Sequence, residues 1–122
     1  MLAQLKNVFA LGALTLALGA FAAAPAAAQT RTFQVVNESH YSIQRIYVSP
    51  ASYSRWGFDR LGDDVLRPGY EFTLSVLPGY YDVKLIDEDN DACVVHNLDF
   101  RYGDRWTLTD GILLACEVVT AF

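Results

Sequence analysis

Apolar and polar residues alternate over much of the chain after residue 30, and this two-residue period is typical of β-strands. The clearest case runs from Arg67 to Asp87, where Pro68-Gly69 and Pro78-Gly79 each predict a tight turn. Alternate apolar residues then share one face of each flanking strand. With a loop from Leu77 to Tyr80 those faces match, so we expect an antiparallel hairpin. Its facing pairs are Val76 with Tyr81, Leu74 with Val83, and Phe72 with Leu85.

Three further stretches before residue 101 have strand patterns, beginning with Thr32–Asn37. Asn37-Glu38-Ser39 predicts a turn, because Asn and Ser side chains bond to nearby backbone. In the next stretch, Tyr41–Ser49, the apolar positions change parity near Gln44-Arg45, which predicts a β-bulge. The third, Ala92–Phe100, mixes apolar and polar residues on both faces, so its orientation stays open.

The stretch Arg101–Phe122 predicts a second hairpin with the loop Thr109–Gly111. This loop pairs Leu108 with Ile112 and Trp106 with Leu114, which unites the large apolar residues on one face. The last strand is apolar on both sides, so we expect it to be central. About seven strands, with no amphipathic helix among them, predict an all-β fold: a small antiparallel β-sandwich, immunoglobulin-like or transthyretin-like.

The first 28 residues have the pattern of a helical secretory signal peptide. Lys6 precedes an apolar run, and Pro25 is followed by Ala26-Ala27-Ala28, a small-residue cleavage site. We expect cleavage after Ala28, a single β-sandwich domain over residues 29–122, no membrane span after cleavage, and a periplasmic or secreted location.

Charge and cysteine content narrow the function further. Residues 29–122 keep all 14 acidic residues but lose Lys6 from the nine Lys and Arg, so their formal charge is −6. This charge argues against nucleic acid and anionic lipid as partners. Cys93 and Cys116 are the only cysteines, and in an exported domain they predict a disulfide.

The longest irregular stretch, Ala51–Leu66, concentrates aromatic and arginine side chains. Long loops on a rigid scaffold often bind ligands, and the candidate residues for a sugar or peptide are Tyr53, Arg55, Trp56, Phe58 and Arg60. Alternatively, Trp56 and Phe58 fold inward and plug one end of the sandwich. The plug is the expected arrangement, since a small domain gains by burying aromatic rings.

Asp87, Asp89 and Asp91 lie in the acidic run after the predicted central hairpin, at a spacing that calcium loops use. The EF-hand pattern then fails, with Ala92 at the sixth position and Leu98 at the twelfth. We expect a solvated hairpin turn with no cofactor, and calcium binding is the alternative.

Catalytic patterns are absent: the sequence contains no G-x-S-x-G, H-E-x-x-H or P-loop. His96 has no carboxylate or nucleophile near it in sequence, and the side chains of neighbouring Ser39 and His40 diverge in a strand or turn. We therefore expect a protein without enzymatic activity, and a small hydrolase is the remaining alternative.

The chain resembles a group of small exported bacterial β-sandwich proteins over roughly Phe33 to Asp89. The matching residues are Asn37, Ile43, Ile46-Tyr47-Val48-Ser49-Pro50, Trp56-Gly57, Asp59, Leu61-Gly62, Leu66, Pro68-Gly69, Tyr81-Asp82-Val83-Lys84 and Asp87. The resemblance implies a periplasmic or secreted protein, and it brings no catalytic residues. We expect a binding or structural module of the bacterial envelope whose partner is an envelope protein or a glycan; the alternative is a calcium- or carbohydrate-binding periplasmic protein.

Overall fold

The computed structural model describes residues 29–121, and the predicted signal peptide lies outside the described residues. Seven strands and one short helix make up this part of the chain. Their bounds are β1 (Arg31–Asn37), β2 (Ile43–Pro50), β3 (Glu71–Val76), β4 (Tyr80–Asp87), β5 (Ala92–Asp99), β6 (Arg105–Leu108), α1 (Asp110–Ala115) and β7 (Glu117–Val119).

The strands form two sheets that pack face to face, which confirms the predicted small all-β sandwich. One sheet has the order β3-β1-β6 and the other the order β2-β4-β5-β7. All neighbouring strands are antiparallel except β1 and β6, which run parallel. The register of β2 shifts between Ile43 and Arg45, which confirms the predicted bulge.

Alternate side chains of the two sheets meet in one apolar core. Phe33 and Leu74 enter it from the smaller sheet, and Val83 and Leu85 enter from the larger. The Phe33 ring lies 4.7 Å from the ring of Phe100, measured between centroids. Burying each of these side chains contributes roughly 1.5–3 kcal/mol, so the core is the main source of stability.

The predicted hairpin between β3 and β4 is wrong, although the buried faces of both strands were predicted correctly. β3 pairs with β1, and β4 pairs with β2 and β5, so the two strands lie in opposite sheets. Residues 77–79 connect the layers, and the hydroxyl of Tyr81 donates to the carbonyl of Leu77 at 2.6 Å. The apolar faces of β3 and β4 therefore meet across the core instead of lying side by side.

The predicted C-terminal hairpin is also wrong, because residues 110–115 form α1. Thr109 caps this helix, and its side-chain oxygen accepts a hydrogen bond from the backbone N–H of Ile112 at 3.2 Å. β6 and β7 consequently belong to different sheets, and β7 is an edge strand instead of the central strand we expected. The Cys93–Cys116 disulfide, predicted correctly, ties β5 to the end of α1.

The first half of β5 is buried on both faces of its sheet. Cys93 belongs to the apolar core, whereas Val94 lies opposite Lys84 on the outer face. Both residues are buried, which explains why its sequence pattern did not reveal an orientation.

The predicted turn after β1 is built on Asn37, whose side chain is fully buried (0% exposed). The amide nitrogen donates to the carbonyls of Tyr41 and Leu66, at 2.7 and 2.9 Å. The amide oxygen accepts from the backbone N–H and the hydroxyl of Ser39, at 3.0 and 2.6 Å. One side chain therefore joins three segments of the chain.

Candidate functional site

The five candidate binding residues of the Ala51–Leu66 loop come together in the structure. They line a shallow cleft of about 300 Å³ beside the last residues of β2. The residues are Tyr53, Arg55, Trp56, Phe58 and Arg60. The cleft lies at the end of the sandwich where Pro50, Tyr80 and Asp99 neighbour one another across β2, β4 and β5. We call the end of the sandwich that carries Pro50, Tyr80, Asp99 and this cleft the aromatic end.

Side-chain and backbone hydrogen bonds hold the loop along the free edge of β2. A carboxylate oxygen of Asp59 accepts from the backbone N–H of Ile46 at 2.9 Å and from that of Leu61 at 3.0 Å. The backbone N–H of Arg60 donates to the carbonyl of Ile46 at 2.7 Å. Leu61 is buried in the core, so its packing adds to the hydrogen bonds. The loop is therefore an ordered support for the side chains it carries.

The expected plug of Trp56 and Phe58 is wrong, because neither ring folds into the core. Tyr53 and Phe58 are 69% and 70% exposed, and only Trp56 is half-buried. The Trp56 ring lies on the outer face of the larger sheet, where the Lys84 ammonium is 5.6 Å from its centroid. The same ammonium is 5.0 Å from the Tyr47 ring, so it lies close to both aromatic faces.

Arginine side chains provide the positive charge in the cleft. The Arg60 guanidinium lies 4.9 Å from the centroid of the Phe58 ring and donates to the carbonyl of Ser75 on β3. Burial raises the pKa of the nearby Tyr81 phenol, and Arg60 opposes that shift. Arg55 is exposed, and within residues 29–121 its side chain makes no hydrogen bond or ion pair. Its full donor capacity faces solvent.

A second group of aromatic and arginine side chains lies at the aromatic end, and the sequence analysis missed it. Arg101 lies between two exposed rings, 4.6 Å from the centroid of Tyr80 and 5.2 Å from that of Tyr102. Asp99 accepts two side-chain hydrogen bonds from Arg101, at 3.0 and 3.1 Å. These bonds lower the pKa of the Asp99 carboxyl and raise that of Arg101. Tyr80 and Tyr102 are distant from each other in the sequence, and they become neighbours only because β4 pairs with β5.

The predicted acidic turn connects β4 to β5 at the opposite end of the sandwich. Carboxylate oxygens of Asp87, Asp89 and Asp91 lie within 4.8 Å of one another. One oxygen of Asp87 already accepts the backbone N–H groups of Asp89 and Asp91, at 2.9 and 3.0 Å. These bonds account for the turn by themselves, and calcium binding there stays a prediction. We call the end that contains this turn and Asn37 the acidic end.

Both histidines contact carboxylates that are distant in sequence. On the outer face of the larger sheet, His96 has its ring nitrogens 3.4 Å from Asp82 and 3.3 Å from Glu117. His40 contacts Asp110 through its backbone N–H at 2.8 Å and its ring at 2.5 Å. The Ser39 hydroxyl bonds to Asn37 and Tyr41 and not to either histidine. Among residues 29–121, neither histidine therefore activates the Ser39 hydroxyl.

A second cleft, of about 380 Å³, lies between α1 and the edge formed by β5 and β7. Its lining is mainly apolar, and Leu114 and Val118 are strongly exposed there. This cleft could not be predicted, because the sequence pattern of residues 112–119 indicated a single strand.

Among residues 29–121, the structure contains no helix with the length and apolar character that crossing a membrane requires.

Comparisons with protein-family models, with curated proteins and with solved structures found no match to this chain. The resemblance to exported bacterial β-sandwich proteins therefore stays a prediction from the residues that carry it.

Proposed function

We propose that this protein is a non-enzymatic binding module of the bacterial envelope and that the aromatic end binds a glycan. The predicted signal peptide and the disulfide support an extracytoplasmic location, because disulfides persist in oxidising compartments. The contacts of Ser39 and the two histidines give no support to a hydrolase.

The observation that carries the proposal is the exposure of Tyr53 and Phe58 on a loop that is itself well anchored. Burial of apolar ring surface stabilises a fold by about 25 cal/mol for each Å² removed from water, and rings that stay exposed do not contribute this stability. Asp59 and Leu61 fix the loop next to Phe58, and the backbone N–H of Tyr53 donates to the carbonyl of Pro50 at 2.8 Å, so the exposure accompanies an ordered backbone. Exposed aromatic groups on an ordered support are typical of binding surfaces.

The chemistry of the cleft favours a saccharide over an extended peptide. Flat aromatic faces stack against the apolar faces of sugar rings, and guanidinium groups donate several hydrogen bonds to sugar oxygens. A peptide that adds a strand to a sheet needs free backbone groups on the edge. On β2 the N–H and C=O groups of Ile43 bond to Leu66, and those of Ile46 bond to Asp59 and Arg60. The loop therefore blocks strand addition at this edge.

The proposal is tested by measuring the affinity of the purified protein for a panel of envelope and plant-wall oligosaccharides. Tyr53→Ala and Phe58→Ala should each weaken binding of any oligosaccharide that is retained, by about tenfold if one stacked ring contributes about 1.4 kcal/mol. Tyr70→Ala is the matched control, because Tyr70 is 63% exposed and lies outside the cleft. Equal losses in all three variants, or no retained oligosaccharide, would contradict the proposal.

A further inference from the structure

Charge is distributed unevenly between the two ends of the domain. The acidic end carries the turn residues Asp87, Glu88, Asp89 and Asp91, and Asp110 lies close to it through His40. These groups account for a large part of the net charge of −6 carried by residues 29–122. The charged side chains that line the cleft at the aromatic end are Arg55 and Arg60, and local charge governs contact at distances below the Debye length of about 8–10 Å.

The cleft at the aromatic end has cationic groups that the fold does not neutralise. Arg55 makes no ion pair within residues 29–121, and Arg60 has only a carbonyl and a ring as partners. Asp59, next in the chain, uses one carboxylate oxygen for two backbone N–H groups of the loop and its support. An anionic ligand group would thus find unused donors in the cleft.

The second arginine–aromatic group continues the same surface. The backbone N–H of Ala51, which begins the loop, donates to the carbonyl of Tyr80 at 3.0 Å. Tyr80 lies opposite Asp99 in the β4–β5 pair, and Arg101 stacks on its ring. The Asp99 carboxylate neutralises the charge of Arg101, so this second group offers ring faces but no net positive charge. Within the cleft, the charge without an ion pair lies on Arg55 and Arg60, and the ring surface extends beyond them.

We propose that the aromatic end binds an acidic saccharide chain. Arg55 and Arg60 contact its carboxylates, and the rings of Tyr53, Phe58 and Tyr80 stack on its sugar units. This inference rests on the proposed function and specifies its ligand class. A chain of several sugars fits better than a single sugar, since two aromatic groups lie along one surface.

The test uses one saccharide with and without its charge. Binding of an octamer of galacturonic acid and of its fully methyl-esterified form is measured by calorimetry at low salt. The acid should bind at least about tenfold more tightly than the ester, because charge-assisted hydrogen bonds to arginine contribute about 1.5–3 kcal/mol each. Raising the salt concentration should weaken binding of the acid and leave the ester unchanged.

Charge-removing variants identify the groups responsible. Arg55→Gln and Arg60→Gln should each weaken binding of the acid by about five- to tenfold, with a clearly smaller loss for the ester, because the glutamine amide still donates to neutral sugar oxygens. Arg67→Gln is the control, because Arg67 is exposed and lies outside the cleft. Arg60 also contacts Ser75, so the melting curve is measured for each variant; if Arg60→Gln unfolds, Arg55→Gln decides, because its side chain has no bond to lose.

The outcomes separate this inference from the proposed function. Equal binding of acid and ester overturns the acidic ligand and leaves a glycan-binding module. Binding of neither overturns the acidic ligand, and the proposed function is then overturned only if the oligosaccharide panel also retains nothing. Equally tight binding of an eight-residue polyglutamate overturns the saccharide and assigns the surface to an acidic peptide.

Discussion

The acidic and aromatic ends of this sandwich use their polar groups in opposite ways. At the acidic end, the buried Asn37 amide satisfies four partners inside the fold, and Asp87 closes its own turn. At the aromatic end, Arg55 has no partner in the described chain, and the rings of Tyr53, Phe58, Tyr80 and Tyr102 face solvent. The contrast shows that hydrogen bonds inside the fold hold one end together, whereas the other end has donors and rings available for a ligand.

This contrast leads to a division between stability and binding. Removing a group that the acidic end uses internally leaves buried partners without hydrogen bonds, so it should lower the free energy of unfolding. Removing an exposed group at the aromatic end should leave stability nearly unchanged and affect only binding.

Asn37→Ala should lower the free energy of unfolding by about 3–4 kcal/mol, because the carbonyl of Leu66 and the hydroxyl of Ser39 lose buried partners. Urea denaturation followed by tryptophan fluorescence measures the change. Gln34→Ala, which removes an exposed amide bonded only to Thr73, is the control and should change stability by less than about 1 kcal/mol. A loss in Asn37→Ala no greater than in the control would contradict the role of Asn37 as a central bonding residue.

Replacing both cysteines of the Cys93–Cys116 pair with serine should lower the free energy of unfolding by about 3 kcal/mol. The bond spans 23 positions of sequence, and losing it frees that loop in the unfolded chain. Urea denaturation of the variant and of the reduced native protein should agree. Unchanged stability in both would mean that packing of α1 alone holds this edge.

The faces of the strands could be predicted from sequence, but their partners could not. Phe72, Leu74 and Val76 alternate in the same way whether β3 lies beside β4 or across the core from it, so the pattern cannot separate a hairpin from a connection between layers. The bulge near Arg45 was predictable because a bulge changes parity within one strand. Local patterns therefore determined local structure, and long-range pairing determined the topology.

The C-terminal helix and the exposed rings escaped prediction for different reasons. The segment 110–115 is short and mainly apolar, and its pattern fits a strand or a helix equally well. Only the Thr109 cap favours the helix. The ring of Phe58 was expected inside, with that of Trp56, because burial favours aromatic groups in general. Hydrogen bonds of Asp59 to Ile46 and Leu61 hold the loop along β2, and in that arrangement the adjacent Phe58 ring is exposed.

Asp59→Ala should weaken both properties, because Asp59 anchors the loop of the aromatic end to β2. The backbone N–H groups of Ile46 and Leu61 lose their acceptor, and the free energy of unfolding should fall by about 1–2 kcal/mol. Asp59→Asn retains an oxygen acceptor and serves as the control. Glycan binding should fall in Asp59→Ala and persist in Asp59→Asn; unchanged binding in both would mean that the anchor does not organise the site.

Asp87→Ala should lower the free energy of unfolding by about 1 kcal/mol, because the turn loses acceptors for the N–H groups of Asp89 and Asp91. Asp87→Asn keeps the acceptor and should change little. Adding millimolar calcium to the native protein should leave its melting temperature unchanged, with a chelator as reference. A rise on adding calcium that disappears in Asp89→Asn would assign a metal site to this turn.

The contact between His40 and Asp110 gives the smallest expected effect, a change in the pH dependence of stability. Hydrogen bonds from the backbone N–H and the ring of His40 lower the pKa of the Asp110 carboxyl. The folded state therefore binds this proton less readily than the unfolded state, whose Asp pKa is about 3.9. Stability from this contact is complete above that value and is lost as the pH falls through the lower pKa of the folded state. Melting temperatures measured from pH 6 to pH 2 should fall less steeply in Asp110→Asn than in native protein. Asp63→Asn is the control, because it makes an equal charge change on an exposed loop, and its melting temperature should follow the native slope. Parallel curves for Asp110→Asn and native protein would show that the contact adds nothing to folding.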